Sequence, residues 1–208
     1  MARTLSTAFF ARDPRHVALD LLGKLLLRKR GRKRIAGRIV EVEAYLGSGD
    51  AAAHAASGPT TRNRVLFGPP GRAYVYFIYG NHHCLNVSCQ PAGQAGCVLI
   101  RALEPVTGVA EMARARGLRP PARGAGPASP RWLRRLTSGP GRLCAAFGIT
   151  RARDNGRNLT TRASRLWLDD DGFRPRRIIL TPRIGIRKAA DKRLRFVIAD
   201  SPFVSRVG

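Results

Sequence analysis

The sequence predicts a single mixed domain of the α+β class, and three observations carry that prediction. Two pairs of apolar, strand-like runs are each joined by a few Gly-rich or polar residues, the pattern of hairpins and so of antiparallel pairing. Short helix-like segments, opened by a capping residue or proline and closed by glycine, lie around them. The 208 residues, 44% apolar, suffice for one ordinary core and exclude wholesale disorder. The domain is therefore set at residues 1–208.

Asp13 caps the first predicted helix, with Pro14 at its first position and Gly23 as its stop. Val17 and Leu21 head its apolar stripe. Lys24–Arg30 and Arg34–Leu46 form a hairpin around Gly31-Arg32-Lys33. By period-2 alternation Ile35, Ile39, Glu41, Glu43 and Tyr45 share one face of the second strand, and Val40, Val42, Ala44 and Leu46 the other. Residues 47–72 are loop-like. Tyr74–Tyr79 and Leu85–Ser88 flank Gly80-Asn81-His82-His83 as a second hairpin with a polar tip. Cys97–Ala102 is a short buried strand in which Cys97, Leu99 and Arg101 face one way. Helices follow at 108–116, Trp132–Leu136 and Gly141–Phe147. Between the first two, residues 117–130 hold four Pro and three Gly and form an irregular insertion. Strands at Arg177–Thr181 and Arg193–Ala199 complete the chain.

The charge balance points to a polyanion. Lys plus Arg number 38 against 13 Asp plus Glu, a formal net charge of +25. Such an excess destabilises a compact chain unless an anionic partner screens it. Of the basic residues 33 are Arg, a skew that genome composition explains, but composition does not explain the scarcity of acids. Residues 1–40 hold 11 basic and 2 acidic side chains and residues 111–208 hold 23 and 7, whereas residues 41–110 hold 4 of each. That neutral centre contains all four tyrosines and three of the four histidines. Two basic flanks around a Tyr-rich centre describe a phosphate-gripping surface around a pocket for something less charged. The four cysteines lack C-x-x-C spacing and read as reduced, buried thiols. No apolar run approaches the ~18 residues of a membrane span, and no signal-peptide core is present. The expected setting is intracellular and soluble, without a membrane.

The most unusual stretch is Ile39-Val40-Glu41-Val42-Glu43-Ala44-Tyr45-Leu46-Gly47, followed by Asp50 and His54. A carboxylate within an apolar run is costly unless it is paired, hydrogen-bonded or used in chemistry. For Glu41, further from the aromatic and the loop, an ion pair with one of the many arginines is the plainer reading. Glu43, beside Tyr45 and near His54, is the better candidate for chemistry.

These residues, followed in order by Tyr74-Val75-Tyr76-Phe77-Ile78-Tyr79-Gly80, Cys84-Leu85-Asn86-Val87-Ser88 and Val98–Pro105, resemble the alkyladenine (3-methyladenine) DNA glycosylase family of base excision repair. Ser138-Gly139-Pro140-Gly141-Arg142-Leu143-Cys144 and Ser201-Pro202-Phe203-Val204-Ser205 extend the similarity over most of residues 13–207. The resemblance implies a compact domain with a curved, mainly antiparallel sheet, flanking helices and a protruding β-hairpin. It implies a monofunctional enzyme that flips alkylated or deaminated purines (the 3-methyladenine, 7-methylguanine and hypoxanthine class) out of duplex DNA and hydrolyses the N-glycosidic bond. Glu43 matches the general base, Arg101 the residue that helps to hold the attacking water, and the carbonyl of Ile184 its remaining contact. Tyr45, Tyr76 and His54 match the walls of the base pocket, since a flipped purine needs flat faces to stack on and an edge partner. Asn86 matches a pocket residue that rejects a guanine amino group, and Leu99 shares the strand face of Arg101. Tyr79, of opposite parity to Tyr76, matches the wedge that fills the gap left by the flipped nucleotide. The polar Asn81-His82-His83 and residues 117–130 depart from the family pattern.

The resemblance also implies double-stranded DNA as partner, no cofactor, and a monomer, in cytoplasm or nucleoid of a prokaryote or the nucleus of a eukaryote. No Lys lies between Lys33 and Lys188, which argues against a Schiff-base lyase step. His82, His83 and Cys84, even with His54, lack zinc-type spacing, and no metal is expected. Asp169-Asp170-Asp171-Gly172 reads as a solvated turn rather than a calcium loop. Two rivals stay open: a non-catalytic nucleic-acid-binding protein that retains the glycosylase fold, and a metal-dependent nuclease using Glu41, Glu43 and Asp50.

Overall fold

A computed structural model describes residues 2–119 and 128–205. The chain opens with β1 (Arg3–Thr4), α1 (Thr7–Phe10) and α2 (Pro14–Leu21), then forms β2 (Leu25–Arg30) and β3 (Lys33–Tyr45). Next come β4 (Ala73–Ile78), β5 (His82–Cys89) and β6 (Gly96–Thr107), followed by α3 (Val109–Ala115), α4 (Pro130–Thr137), α5 (Pro140–Phe147) and α6 (Arg151–Asp154). The last strands are β7 (Leu166–Asp170), β8 (Ile178–Thr181) and β9 (Arg195–Ile198). Local chemistry sets the first helix as expected: Asp13 Oδ1 accepts from the Arg15 N–H at 2.8 Å, and Pro14 fills a position that needs no N–H. The helices predicted at 108–116, 132–136 and 141–147 all form, each within a few residues of its expected limits.

One antiparallel sheet organises the molecule, in the order β1-β7-β2-β3-β6-β5-β4. β3 is its axis. Its first half pairs with β2, its second half pairs with β9 through Glu41–Glu43, and β6 runs along the other edge. β8 extends the sheet beyond β9. On one face Val42, Val75, Leu85, Val87, Val98 and Ile100 join Phe10, Val17, Leu21, Leu143 and Phe147 of the helices in the main core. Each such buried side chain contributes roughly 1.5–3 kcal/mol, and this frees the other face to carry polar groups. The mixed α+β architecture with antiparallel pairing is as the sequence predicts.

Four local expectations are corrected. Leu166–Asp170 forms a strand paired with β2, so Asp169 and Asp170 lie on it and the acidic run is not a solvated turn. Arg162 pairs with Asp169 (3.0 Å), Lys24 and Arg174 with Asp170 (2.8 and 2.9 Å), and Arg38 with Asp171 (2.8 Å). β6 is longer than Cys97–Ala102. It runs past Pro105, whose missing N–H falls where the β3 register shifts between Ala36 and Gly37. The hairpin tip is Tyr79-Gly80-Asn81, with His82 and His83 already in β5. Finally, register shifts around Glu41 break simple alternation in β3. Ile39 joins Val42 and Ala44 in the main core, and Val40 packs with Ala102 and Phe203 instead. Most of the Pro/Gly-rich insertion, residues 120–127, lies outside the described residues.

Acid scarcity is compensated by thrift. Among the described residues, 11 of the 13 acidic side chains sit in ion pairs, so they serve as counter-charges within the chain and the positive excess rests on the remaining basic residues. Asp154 is the buried example: Arg28 grips it with two hydrogen bonds of 3.0 Å, and the Thr150 N–H adds a third at 3.1 Å. Asp154→Ala leaves the Arg28 guanidinium buried without its carboxylate and is expected to cost about 3–5 kcal/mol, read from the denaturant midpoint.

Candidate active site

The sheet face opposite the main core carries a cavity of about 330 Å³. Period-2 alternation supplies most of its wall: Tyr74, Tyr76 and Ile78 from β4, His82, Cys84 and Asn86 from β5, and Cys97, Leu99 and Arg101 from β6. Tyr45 at the end of β3, His54 in the following loop, the start of α5 (Pro140 and Gly141) and the segment Ile184–Ile186 close it. Tyr79 stands at the rim, 78% exposed. Every pocket and wedge residue singled out in the sequence lines this one cavity. Gly47 makes the turn out of β3 possible: it has φ of +83°, and a Cβ there would lie 1.6 Å from the carbonyl oxygen of Ala95.

Glu43 is wholly buried directly behind the cavity wall, and its three partners all line the cavity. The Ile184 N–H donates to its Oε1 at 2.7 Å, and the Tyr45 hydroxyl donates to its Oε2 at 2.9 Å. Arg101 Nη1 stands 3.2 Å from Oε1. The family resemblance assigns the Ile184 carbonyl; the contact present here is made by the N–H of the same residue, which belongs to the preceding Arg183–Ile184 peptide unit. Burial, and then the Glu43 charge, push the Tyr45 phenol far above its usual range, so it is a permanent donor.

Glu41 sits one step along the same strand and is saturated. Its Oε1 accepts from Arg101 Nε (2.9 Å), Arg195 Nε (2.7 Å) and the Ser205 hydroxyl (2.7 Å), and its Oε2 accepts from the Ser205 N–H (2.6 Å). The ion-pair reading of Glu41 therefore holds. Arg101 bridges both carboxylates. Burial works against its charge, but Glu43 and Glu41 outweigh burial and hold it protonated. Asp50 is likewise occupied, gripped by Arg183 at 2.6 and 2.8 Å. All three acids of the nuclease reading pair with guanidiniums, and among the described residues no group of three or more His, Cys, Asp or Glu side chains is placed to hold a metal ion.

The aromatic wall is organised as well. The His54 ring meets Tyr76 edge-on with centroids 4.6 Å apart, and its Nδ1 is 2.9 Å from the Tyr74 hydroxyl. Buried Asn63 holds the loop that carries His54: its Nδ2 donates to the carbonyls of His54 (2.8 Å) and Gly58 (3.0 Å). The Asn86 amide is oriented by the Tyr74 carbonyl at 3.2 Å and the Cys97 thiol at 3.7 Å. Burial, aided by the Asp50 charge, pushes that thiol up to about 12, so it acts as a neutral wall group. The adjacent histidines diverge, His82 toward the cavity and His83 against the Phe77 ring at 4.9 Å. At the tip, Tyr79 and Gly80 take consecutive positive φ of 55° and 70°, an uncommon state for tyrosine that presents its ring outward.

Sequence reasoning missed Arg183, Arg195, Ser205 and Asn63. The two arginines carry no local signal, because each is one among many in a basic tail and meets its partner across more than 130 residues. Ser205 and Asn63 act through contacts that only folding creates.

The site is an aromatic-walled cavity backed by a buried carboxylate, in a strongly basic sheet protein. The comparisons with known proteins give its class. Residues 8–202 match the family model described as methylpurine-DNA glycosylase, and the chain belongs to that family. A protein of Koribacter versatilis named "Putative 3-methyladenine DNA glycosylase" is 59% identical, over 97% of this chain and 92% of that protein. Proteins of the same name from Methanoculleus marisnigri and Alkaliphilus oremlandii are 47% and 42% identical, over 98% and 97% of this chain and 99% and 98% of their own lengths.

Burial and the nearby Arg62 charge lower the pKa of His54. A depressed folded value means the unfolded chain binds the proton first, so the neutral ring's contribution to stability is present above the ordinary histidine pKa of about 6.5 and is lost as pH falls below it. An NMR titration of the His54 ring is expected to show a midpoint below that of the unfolded chain. A midpoint at or above it would contradict this electrostatic picture.

Proposed function

We propose that this protein is a DNA glycosylase of base excision repair that removes alkylated or deaminated purines from duplex DNA by hydrolysis of the N-glycosidic bond, with water as nucleophile and no lyase step. The observation that carries the reading is Glu43, buried behind an aromatic-walled cavity and held by three groups that themselves line it. A carboxylate accepts about four hydrogen bonds in all. Oε1 takes the Ile184 N–H with Arg101 close by, and Oε2 takes the Tyr45 hydroxyl, which leaves capacity on Oε2 for one water.

In this reading the extruded purine stacks among Tyr45, Tyr76 and His54, over Leu99 and beside Asn86, which disfavours a guanine amino group. Tyr79 fills the space vacated in the duplex. The water adds to C1′ as the bond from C1′ to the base breaks. Its proton passes to Glu43, and the bonding electrons leave with the base, an easy departure for a cationic alkylpurine. Negative charge behind the sugar stabilises the oxocarbenium character that develops there. Arg101 and Ile184 position the carboxylate and the water. Exposed basic residues before position 40 and after 110 hold the phosphates, the buried Arg28, Arg183 and Arg195 being engaged with carboxylates inside the fold, and the protein acts as a monomer without a cofactor. The names of its relatives, each worded "Putative 3-methyladenine DNA glycosylase", support the alkyladenine part of this substrate class.

A single-turnover assay in EDTA, on duplexes carrying an alkylated adenine or hypoxanthine, tests the activity. Strand breaks are expected only after alkali, and Glu43→Gln is expected to lower the rate by about 10²–10⁴-fold with duplex binding retained. Binding without abasic sites on either lesion would favour the non-catalytic alternative. Affinity is also expected to fall by about 0.9 log units per log unit of salt for each phosphate contacted, and a flat response would remove the phosphate grip.

A further inference from the structure

Asp50 and Arg183 form the most enclosed ion pair among the described residues, with both side chains at 0% exposure. Neither has a part in the chemistry above, but the pair touches the Tyr45 ring and the backbone beside Glu43. Arg183 forks onto Asp50 at 2.6 and 2.8 Å and also donates to the Ala44 carbonyl at 3.1 Å, between Glu43 and Tyr45. Its guanidinium lies 4.7 Å from the centroid of the Tyr45 ring. The next residue, Ile184, supplies the N–H on Glu43, and Ile184–Ile186 form part of the cavity wall. Asp50 in turn accepts from the Leu46 N–H (3.1 Å) and the Ala52 N–H (3.3 Å), fixing the loop that leads to His54.

A buried ion pair is a poor device for stability alone, since apolar residues of similar volume hold two segments together as well or better. What an apolar pair does not supply is direction. Only a planar guanidinium can fork onto a carboxylate, reach a carbonyl and stack on a ring at the same time. We propose that the Asp50–Arg183 pair is a positioning device for the reaction, setting both the plane of Tyr45 and the Ile184 amide that holds Glu43. This rests on the glycosylase reading of the same site.

The test uses the full chain and the variants Arg183→Lys and Asp50→Asn, with Arg28→Lys as a control at another buried ion pair, outside the site. Single-turnover base release is followed against enzyme concentration on the duplex lesion that the parent protein excises. Melting temperatures and affinity for a duplex carrying a stable abasic-site analogue are measured in parallel. The expected result is a fall of about 10–100-fold in the plateau rate for both site variants, as for a misplaced reacting group, with the half-saturating concentration and abasic-analogue affinity unchanged. The double variant should be no worse than either single one, because the two residues act as a unit. Arg28→Lys should lower the melting temperature and keep the plateau rate. A folded Arg183→Lys or Asp50→Asn with the parent rate overturns the positioning role and leaves the glycosylase reading intact. Failure of both variants to fold makes the pair a mere strut and also overturns it. No base release by the parent protein overturns the glycosylase reading, and the proposal with it.

Discussion

Three carboxylates and three guanidiniums are withdrawn from water where β3 runs between β6 and β9, and their mutual neutralisation is the constraint on which the site depends. Glu41, Glu43 and Asp50 are wholly buried, and Arg101, Arg195 and Arg183 nearly so. None could be buried singly without a penalty of several kcal/mol. Together they form a closed account in which Arg101 is shared, Arg195 completes Glu41, and Arg183 completes Asp50. Remote parts of the chain are bound to the strand by this array: β6 through Arg101, the 183–186 segment through Arg183, and the carboxyl-terminal segment through Ser205.

The array also distinguishes two neighbouring glutamates by their hydrogen bonding. Glu41 and Glu43 are two residues apart on one strand, yet the first carries four hydrogen bonds and the second two with an adjacent Arg101. Hydrogen-bond capacity separates a structural carboxylate from one that can still take a water molecule. The pattern of acids elsewhere follows the same economy. Asp154, Asp169 and Asp170 neutralise arginines and a lysine within the fold, and the surface is left with the positive excess that a phosphate backbone requires.

Much of this was legible before folding. Period-2 spacing put Tyr76 of β4, and Leu99 and Arg101 of β6, on faces that do converge, and the isolated carboxylate beside Tyr45 marked Glu43. Cap and stop residues located α2 and α5. Alternation failed where it meets a bulge: the shifted register around Glu41 moved Ile39 to the core face, which no count of residues reveals. The strand ending in Asp169-Asp170 was hidden because acidic residues suit a turn until Arg162, Lys24 and Arg174 arrive as partners.

The amino-acid sequence alone determined most of the elements, the basic character and Glu43 as the candidate carboxylate, because these depend on residue type and near-neighbour spacing. Tertiary structure decided which of 33 arginines line or back the site, how Glu43 is held, and that Asp50 pairs with Arg183. The physical reason is range. Spacing along a strand acts over a few residues, but a buried charge chooses its partner by distance in space, and the Asp50–Arg183 contact joins residues 133 positions apart.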